Sequence, residues 1–358
     1  MNTKIPRVSI IILNWNNWLD TIECLESLYN ITYPTYDVII VDNGSKDISI
    51  LKIKEYAEGK IEIKSKFFKY DVYNKPIKVF EVVEEDAKSG QFNRSLYEKY
   101  DVQKRMILIR NKDNYGYCGG NNIGIKFALN ILDPNYILLL NNDTVVDKHF
   151  LSELVNFSQH NEEIGIVGPK IYYYDFNNRS DIIQFAGAKL NILTLNKKVY
   201  GYNQKENVVE CTPLYTDEVN GACMLIKKNV FSKLKLLDER YFAYWEETDF
   251  CFKARESNFK LLIIPTSKIW HKVGSNNPKE KRISALATYL FGRNAIHFIR
   301  NNLSGFKRFI SLIFFLIIKF VYLEFVYLLY YKNSRVAFMF GLGVLKGLYN
   351  EVGRPSFS

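Results

Sequence analysis

Tyr136-Ile137-Leu138-Leu139-Leu140-Asn141-Asn142-Asp143-Thr144 is an apolar run that turns without a break into two amides and a carboxylate. Such a run, bounded by polar residues, suits a strand buried on both faces of a parallel sheet. Three more runs upstream read the same way: Val8-Ser9-Ile10-Ile11-Ile12-Leu13, Val38-Ile39-Ile40-Val41 and Met106-Ile107-Leu108-Ile109. After the first of them, Trp18, Ile22, Leu25 and Leu28 recur at helical spacing, and Asn16-Asn17 offer a cap. Strand, helix, strand is the start of an α/β fold with a parallel sheet.

Outward from these runs the pattern changes. Residues 51–105 mix charged stretches with short strand-like runs such as Ile77-Lys78-Val79-Phe80-Glu81-Val82-Val83, and read as an insertion. A glycine-rich turn at 114–122 leads into a helix expected over 123–129. A helical region is expected over about 283–348. The expected organisation is therefore an α/β domain over 1–298 and a basic, apolar helical region over 299–358.

Composition bounds the class. At roughly 100–200 residues per domain, 358 residues allow one large domain, with or without an appendage. The net charge of +10 is uneven. From Arg300 onward, Arg300, Lys307, Arg308, Lys319, Lys332, Arg335, Lys346 and Arg354 face only Glu324 and Glu351, eight against two, a net +6. A basic, apolar stretch points to an anionic membrane surface and away from nucleic acid. Cys24, Cys118, Cys211, Cys223 and Cys251 are scattered and never form Cys-x-x-Cys, so neither a disulfide framework nor a zinc site follows. A reducing cytosol fits them. The apolar run at 8–13 is too short for a signal-peptide core, and no targeting segment is read there.

In open α/β sheets, ligands bind beyond the carboxyl ends of the strands. Three strand ends here are polar: Asn14-Trp15-Asn16, Asp42-Asn43-Gly44-Ser45 and Asn141-Asn142-Asp143. Asp143 and Asp147 are placed to hold a hard divalent cation, which takes oxygen ligands and bridges phosphates. Asn142 or Asp143 reads equally as a cap for a helix starting near Asp147. Asp42 can accept from the imide N–H of a pyrimidine, or close an Asx-turn before Gly44. Asn114-Tyr115-Gly116-Tyr117-Cys118-Gly119-Gly120-Asn121-Asn122-Ile123-Gly124 packs glycines around a helix start. That offers either N–H groups for a diphosphate or a tight turn with an asparagine cap. It is neither Gly-x-Gly-x-x-Gly after the first strand nor a Walker A loop. Phe242-Ala243-Tyr244-Trp245-Glu246-Glu247-Thr248-Asp249 clusters carboxylates behind aromatics. On a helix Glu246 and Asp249 share a face at i, i+3, with Glu247 pointing elsewhere. The cluster reads as a general base with a raised pKa, or as acids favoured in a first helical turn. His271 is a candidate metal ligand or a structural histidine.

Taken together and in order, Val8 to Asn16, Val41 to Ser45, Asn114 to Gly124, Leu140 to Thr144, Asn220-Gly221-Ala222, Glu246 to Asp249, Trp270-His271 and Arg293-Asn294 resemble family 2 glycosyltransferases of the GT-A fold, in their rhamnosyltransferase-like branch. The resemblance spans roughly residues 5–300. It implies a Rossmann-like, mostly parallel sheet flanked by helices. It implies donor-binding roles for Asn14, Asn16, Asp42, Gly119, Gly120, Asn121, Asn122, Asn141 and Asn142. Asp143 and His271 would hold Mg2+ or Mn2+. Glu247, with Glu246 beside it, would be the base, and Asp249 would position an acceptor hydroxyl. The family's Asp-x-Asp is here Asn141-Asn142-Asp143, and its Glu-Asp-x-Asp is Glu246-Glu247-Thr248-Asp249.

The expected reaction is an inverting transfer from a dTDP- or UDP-sugar, rhamnose among the candidates, to a saccharide or lipid-linked saccharide. Two other classes compete. A sugar-nucleotide nucleotidyltransferase should carry a glycine-rich loop with Arg and Lys after the first strand, where this chain has Asn14-Trp15-Asn16-Asn17. A non-catalytic membrane-associated assembly protein is compatible with the single aspartate of Asn141-Asn142-Asp143, but not with retention of Glu247, Asp249 and His271. The stretch 309–331 is long enough to span a bilayer at roughly 20 residues. Lys319 and Glu324 interrupt it, and a charge at the bilayer centre costs about 2.5–3.5 kcal/mol. The expectation is a helix on the inner face of the cell membrane, or one packed between subunits of a homo-oligomer, with a spanning helix as the lesser alternative.

Overall fold

The computed structural model describes residues 5–206, 212–272 and 284–355. The strands are β1 (Val8–Asn14), β2 (Tyr36–Asp42), β3 (Lys78–Val83), β4 (Arg105–Arg110), β5 (Tyr136–Asn141), β6 (Thr144–Val146), β7 (Ile164–Tyr173), β8 (Ile183–Phe185), β9 (Ala188–Asn191), β10 (Asn196–Val199), β11 (Leu214–Tyr215), β12 (Cys223–Lys227) and β13 (Lys260–His271). The main sheet runs β11-β13-β7-β12-β5-β1-β2-β4-β3, with β6 beside β13 and β8 beside β7. Its first half, β3-β4-β2-β1-β5, is parallel throughout. β12 then joins antiparallel to both β5 and β7. β9 and β10 form a separate hairpin.

The apolar runs of β1, β2, β4 and β5 are buried on both faces, as doubly covered strands require. The segment read as an insertion contributes β3, which pairs parallel with β4 and ends the sheet. Trp18–Tyr29 is helical as the spacing predicts. Its expected cap is not formed. Asn17 instead donates to Asp20, and Asn16, at φ 50°, accepts from the backbone N–H groups of Lys46 and Asp47.

The glycine-rich segment differs from expectation. Gly116–Phe127 is helical, so the helix begins seven residues before position 123. Its glycines permit close packing on the sheet. A Cβ on Gly120 would come 2.4 Å from Leu13 Cδ1, and one on Gly124 2.8 Å from Ile11 Cγ2. The helix lies on β1 and β2 because it lacks those side chains.

After β13 come helices Ala285–Asn302 and Ser334–Leu348, which pack on each other. Between them runs one continuous helical stretch, Gly305–Tyr330, the tail helix. The chain end returns to the body: Arg293 Nη1 donates to Gly353 O at 2.7 Å, and Gly353 N donates to Arg240 O at 2.8 Å. Cys24, Cys118, Cys223 and Cys251 are buried free thiols, and Cys211 lies outside the described residues.

Candidate active site

A cavity of about 530 Å³ opens at the carboxyl ends of β1 and β5. Leu13, Trp15 and Asn141 contribute from the strand ends, and Asn43, Asn114 and Gly116 from the adjoining loops. Asn220-Gly221-Ala222, Tyr244, Glu246 and Glu247 face them, and Leu286, Leu290 and Arg354 complete the rim.

Glu246 and Glu247 both line this cavity, so the expectation that they point apart is corrected. They open the helix Glu246–Glu256, where N–H groups favour acidic side chains. The approach to that helix is strained. Phe242, Tyr244 and Trp245 have φ of 65°, 66° and 75°, a conformation costly for bulky residues. Asn294 holds it, its Nδ2 donating to the carbonyls of Tyr241, Ala243 and Tyr244 at 3.0, 2.8 and 2.8 Å. Buried Arg293 adds a bond to Tyr241 O at 2.9 Å. The Arg293-Asn294 pair is thus a clamp on the loop that presents the two glutamates.

Glu246 Oε2 and Glu247 Oε2 are buried without hydrogen-bond partners. Burial, reinforced by Glu247, pushes the Glu246 carboxyl well above the usual range. Burial raises Glu247 as well, with Lys197 opposing and Glu218 adding to the rise. Buried polar groups are almost always paired, so two unpartnered carboxylate oxygens on a cavity wall are an exception. Asp249 is not part of that wall. Its carboxylate accepts from Tyr241 Oη at 2.9 Å and Asn302 Nδ2 at 2.7 Å, and pairs with Lys253 at 2.6 Å. It ties the acidic helix to its neighbours.

The predicted donor-binding residues divide sharply. Asn14 Nδ2 donates to Asp42 Oδ1 at 2.8 Å and to Ser45 Oγ at 3.1 Å, and its Oδ1 accepts from Thr21 Oγ1 at 2.8 Å. Asp42 closes a turn through Ser45 N at 3.1 Å. Asn142 Nδ2 donates to Thr21 Oγ1 at 2.9 Å. Asn121 donates to Tyr117 O, and Asn122 to Leu237 O and Glu239, all at 2.9 Å. Asn14, Asn142, Asn121 and Asn122 therefore shape the site from behind, as do Gly119 and Gly120, while Asn141 lines it.

Asp143 and His271 converge. β6 pairs with β13 so that Thr144 stands opposite His271, which carries Asp143 Oδ1 to 3.1 Å from His271 Nε2. His271 Nδ1 lies 3.0 Å from Gln184 Oε1, a contact that orients the ring with Nε2 facing Asp143. Burial works against the Asp143 charge, but His271 and Lys272 hold its carboxyl below the ordinary value. A carboxylate, an imidazole nitrogen and an outer partner fixing the ring are a donor set that suits a divalent cation. Among the described residues no third His, Cys, Asp or Glu joins them. The remaining ligands would be phosphate oxygens and water.

Several residues here have no role of their own in the sequence reading. Asn43 Nδ2 bridges to Asn114 Oδ1 and Gly116 O, both at 3.0 Å, joining two loops of the cavity. Tyr117 Oη donates to Gly221 O at 2.9 Å. Lys197, from β10, pairs with Glu218 at 2.8 Å beside the acidic helix. Arg354 reaches the rim and pairs with Asp113 at 3.1 Å.

Known proteins fall into line with this geometry. Residues 9–97 match the model of glycosyl transferase family 2, and residues 136–349, more than half the chain, that of glycosyl transferase family group 2. The low-salt glycan biosynthesis hexosyltransferase Agl10 of Haloferax volcanii is 26% identical over 86% of this chain and 93% of its own. The dTDP-rhamnosyl transferase RfbF of Shigella flexneri is 25% identical over 59% of this chain and 68% of its own. In fold, the chain is similar to a mannosyltransferase from Pyrobaculum calidifontis solved with GDP-Man and Mn2+, at TM-score 0.55 and 12% identity, covering 98% of this chain and 89% of that one. It is also similar to GalNAc-T7 solved with UDP, GalNAc and Mn2+, at TM-score 0.52 and 16% identity, covering 81% of this chain and 49% of that one. The chain belongs to glycosyltransferase family 2, with a GT-A-like fold.

Proposed function

We propose that the chain is an inverting hexosyltransferase. It moves a sugar from a nucleoside-diphosphate donor to a hydroxyl of a saccharide or lipid-linked saccharide in glycan synthesis. The observation that carries this is the pair of buried, unpartnered carboxylates on the wall of a cavity at the sheet's carboxyl edge. Glu247 takes the proton of the acceptor hydroxyl. The acceptor oxygen forms its bond to the anomeric carbon as the bond to the diphosphate breaks on the opposite face. The nucleoside diphosphate leaves with the electron pair. A raised pKa suits Glu247 to accept a proton. Burial and the neighbouring Glu247 raise the Glu246 carboxyl as well.

Asp143 and His271 would hold Mg2+ or Mn2+. Such an ion, when bound, neutralises charge developing on the leaving diphosphate. Asp42, through lone pairs left by Asn14 and Ser45, would accept from the donor's base. A dTDP-sugar, rhamnose included, is the donor class supported by the resemblance to the Shigella flexneri enzyme.

The same reading places the protein on a membrane surface, at the cytoplasmic face. The most apolar 18-residue stretch of the tail helix Gly305–Tyr330 has a mean hydropathy of 2.3, and 11% of it is buried. Phe309, Ile317, Ile318, Phe325 and Leu329 are exposed along it. Lys319 turns inward to Leu195 O at 2.7 Å, and Glu324 lies against Gly341. The bonds of Ser311 and Lys319 to the 192–195 turn support an interfacial position over a spanning one.

The test is a panel of dTDP-, UDP- and GDP-sugars, measured by thermal shift with and without Mn2+ and then by transfer. Metal-dependent stabilisation by one donor, followed by transfer with inversion at the anomeric carbon, is expected. A retained anomeric configuration would remove the single-displacement reading.

A further inference from the structure

We infer that Lys197 is the positioning residue that keeps Glu247 able to act as a base, and that the tail helix holds Lys197 in place. The inference rests on the assignment of Glu247 as the base.

Lys197 sits on β10, opposite Leu190 of β9. From that hairpin its Nζ crosses to the acidic helix, donating to Thr248 Oγ1 at 2.7 Å and pairing with Glu218 Oε2 at 2.8 Å. It also lies 5.5 Å from the centre of the Trp245 ring. Its contacts thus sit on both chain neighbours of the glutamate pair. Glu247 faces Lys197 from β10, Glu218 from the segment before β12 and Glu246 on its own helix. Tyr117 and Tyr244, and Cys251 one turn along, are near enough to feel its charge. The balance is three carboxylates against one ammonium in a partly desolvated space. Without the ammonium, relief comes by protonating a carboxylate, and a protonated Glu247 has no lone pair for the acceptor proton. In keeping with this, Lys197 opposes the rise that burial imposes on Glu247, and Glu218 and Glu247 hold Lys197 charged against its own desolvation.

The hairpin turn that carries Lys197 is fastened from outside. Ser311 Oγ donates to Ile192 O at 3.2 Å and Lys319 Nζ to Leu195 O at 2.7 Å, both from the tail helix. Burial and the nearby Lys197 push the Lys319 ammonium down to about 8. A chain of direct contacts therefore runs from the apolar outer helix, through residues 192–197, to the residue beside the base.

The experiment is the pH profile of kcat for the full chain and for Lys197→Met, Lys197→Arg and Lys319→Met. Lys197→Met keeps the stem packed near Trp245 and removes the charge. Its acidic limb should move to higher pH by about one unit, as loss of an opposite charge dictates. Activity should recover in alkali, donor KM should be unaltered, and Lys197→Arg should return the limb to its original position. Lys319→Met should move the limb the same way by less. An unmoved limb in Lys197→Met, or a uniform loss at every pH, overturns the role of Lys197. An unmoved limb in Lys319→Met overturns the role of the tail helix. Full turnover in Glu247→Gln would instead defeat the base assignment itself.

Discussion

Two polar clusters stand at the same edge of the sheet and have opposite characters. At the end of β1 and β2, Asn14, Asp42, Ser45 and Thr21 bond to one another. At the start of the acidic helix, Glu246 and Glu247 keep buried oxygens with no partner, on a loop of residues at positive φ. The first cluster is a bonded network that fixes a shape and leaves lone pairs on Asp42. The second is left open, against the cost of burying unpaired polar groups, of order 1–3 kcal/mol each. Position at the sheet edge does not distinguish the two. Satisfaction of the hydrogen bonds does.

The largest effect expected outside the glutamates lies between the clusters. Asp143→Ala removes one of the two protein donors proposed for the metal. The loss of several kcal/mol of charge stabilisation corresponds to roughly 10³-fold or more in kcat. Transfer assays across a Mn2+ titration check this, and metal-independent activity near that of the native chain would break the account of this end. Gln184→Ala, which frees the His271 ring, should weaken metal affinity by about 10–100-fold. Titration of Mn2+ against donor binding measures it.

The open cluster can be tested by its support. Asn294→Ala strands the carbonyls of Ala243 and Tyr244, and should cost about 1–3 kcal/mol of stability by denaturant unfolding. kcat should fall with it, because the strained loop presents Glu246 and Glu247. The smallest effect is the sharpest in sign. The folded-state pKa of Glu246 is raised, so its contribution to stability is fully present below the unfolded value of about 4.3 and is lost as pH rises through the folded value. Glu246→Gln escapes that loss. It should be more stable than the native chain at neutral pH by on the order of 1 kcal/mol, and the gain should fade in acid. Melting curves at pH 4 and pH 7.5 decide it.

The comparison also explains what the sequence shows and what it hides. β1, β2, β4 and β5 are legible because strands covered on both faces must be apolar without alternation. β3 is obscured because an edge strand is half exposed and tolerates Lys78 and Glu81. The glycine segment looks like a phosphate loop because close packing and anion binding call for the same residue. Only the proximity of Gly120 to Leu13 separates them. Glu246, Glu247, Asp143 and His271 are legible as types at chain positions. That Asp249 faces inward and Glu247 faces the cavity depends on the turn through Trp245, where sequence spacing gives no help. Lys197 leaves no trace, since a lone lysine in a hairpin is ordinarily solvated.

The open cluster is the proposed place where the acceptor is deprotonated. The most direct test is kcat of Glu247→Gln at saturating donor, acceptor and metal. A loss of about 10²–10⁴-fold with donor affinity retained is expected. Turnover close to that of the native chain would contradict it.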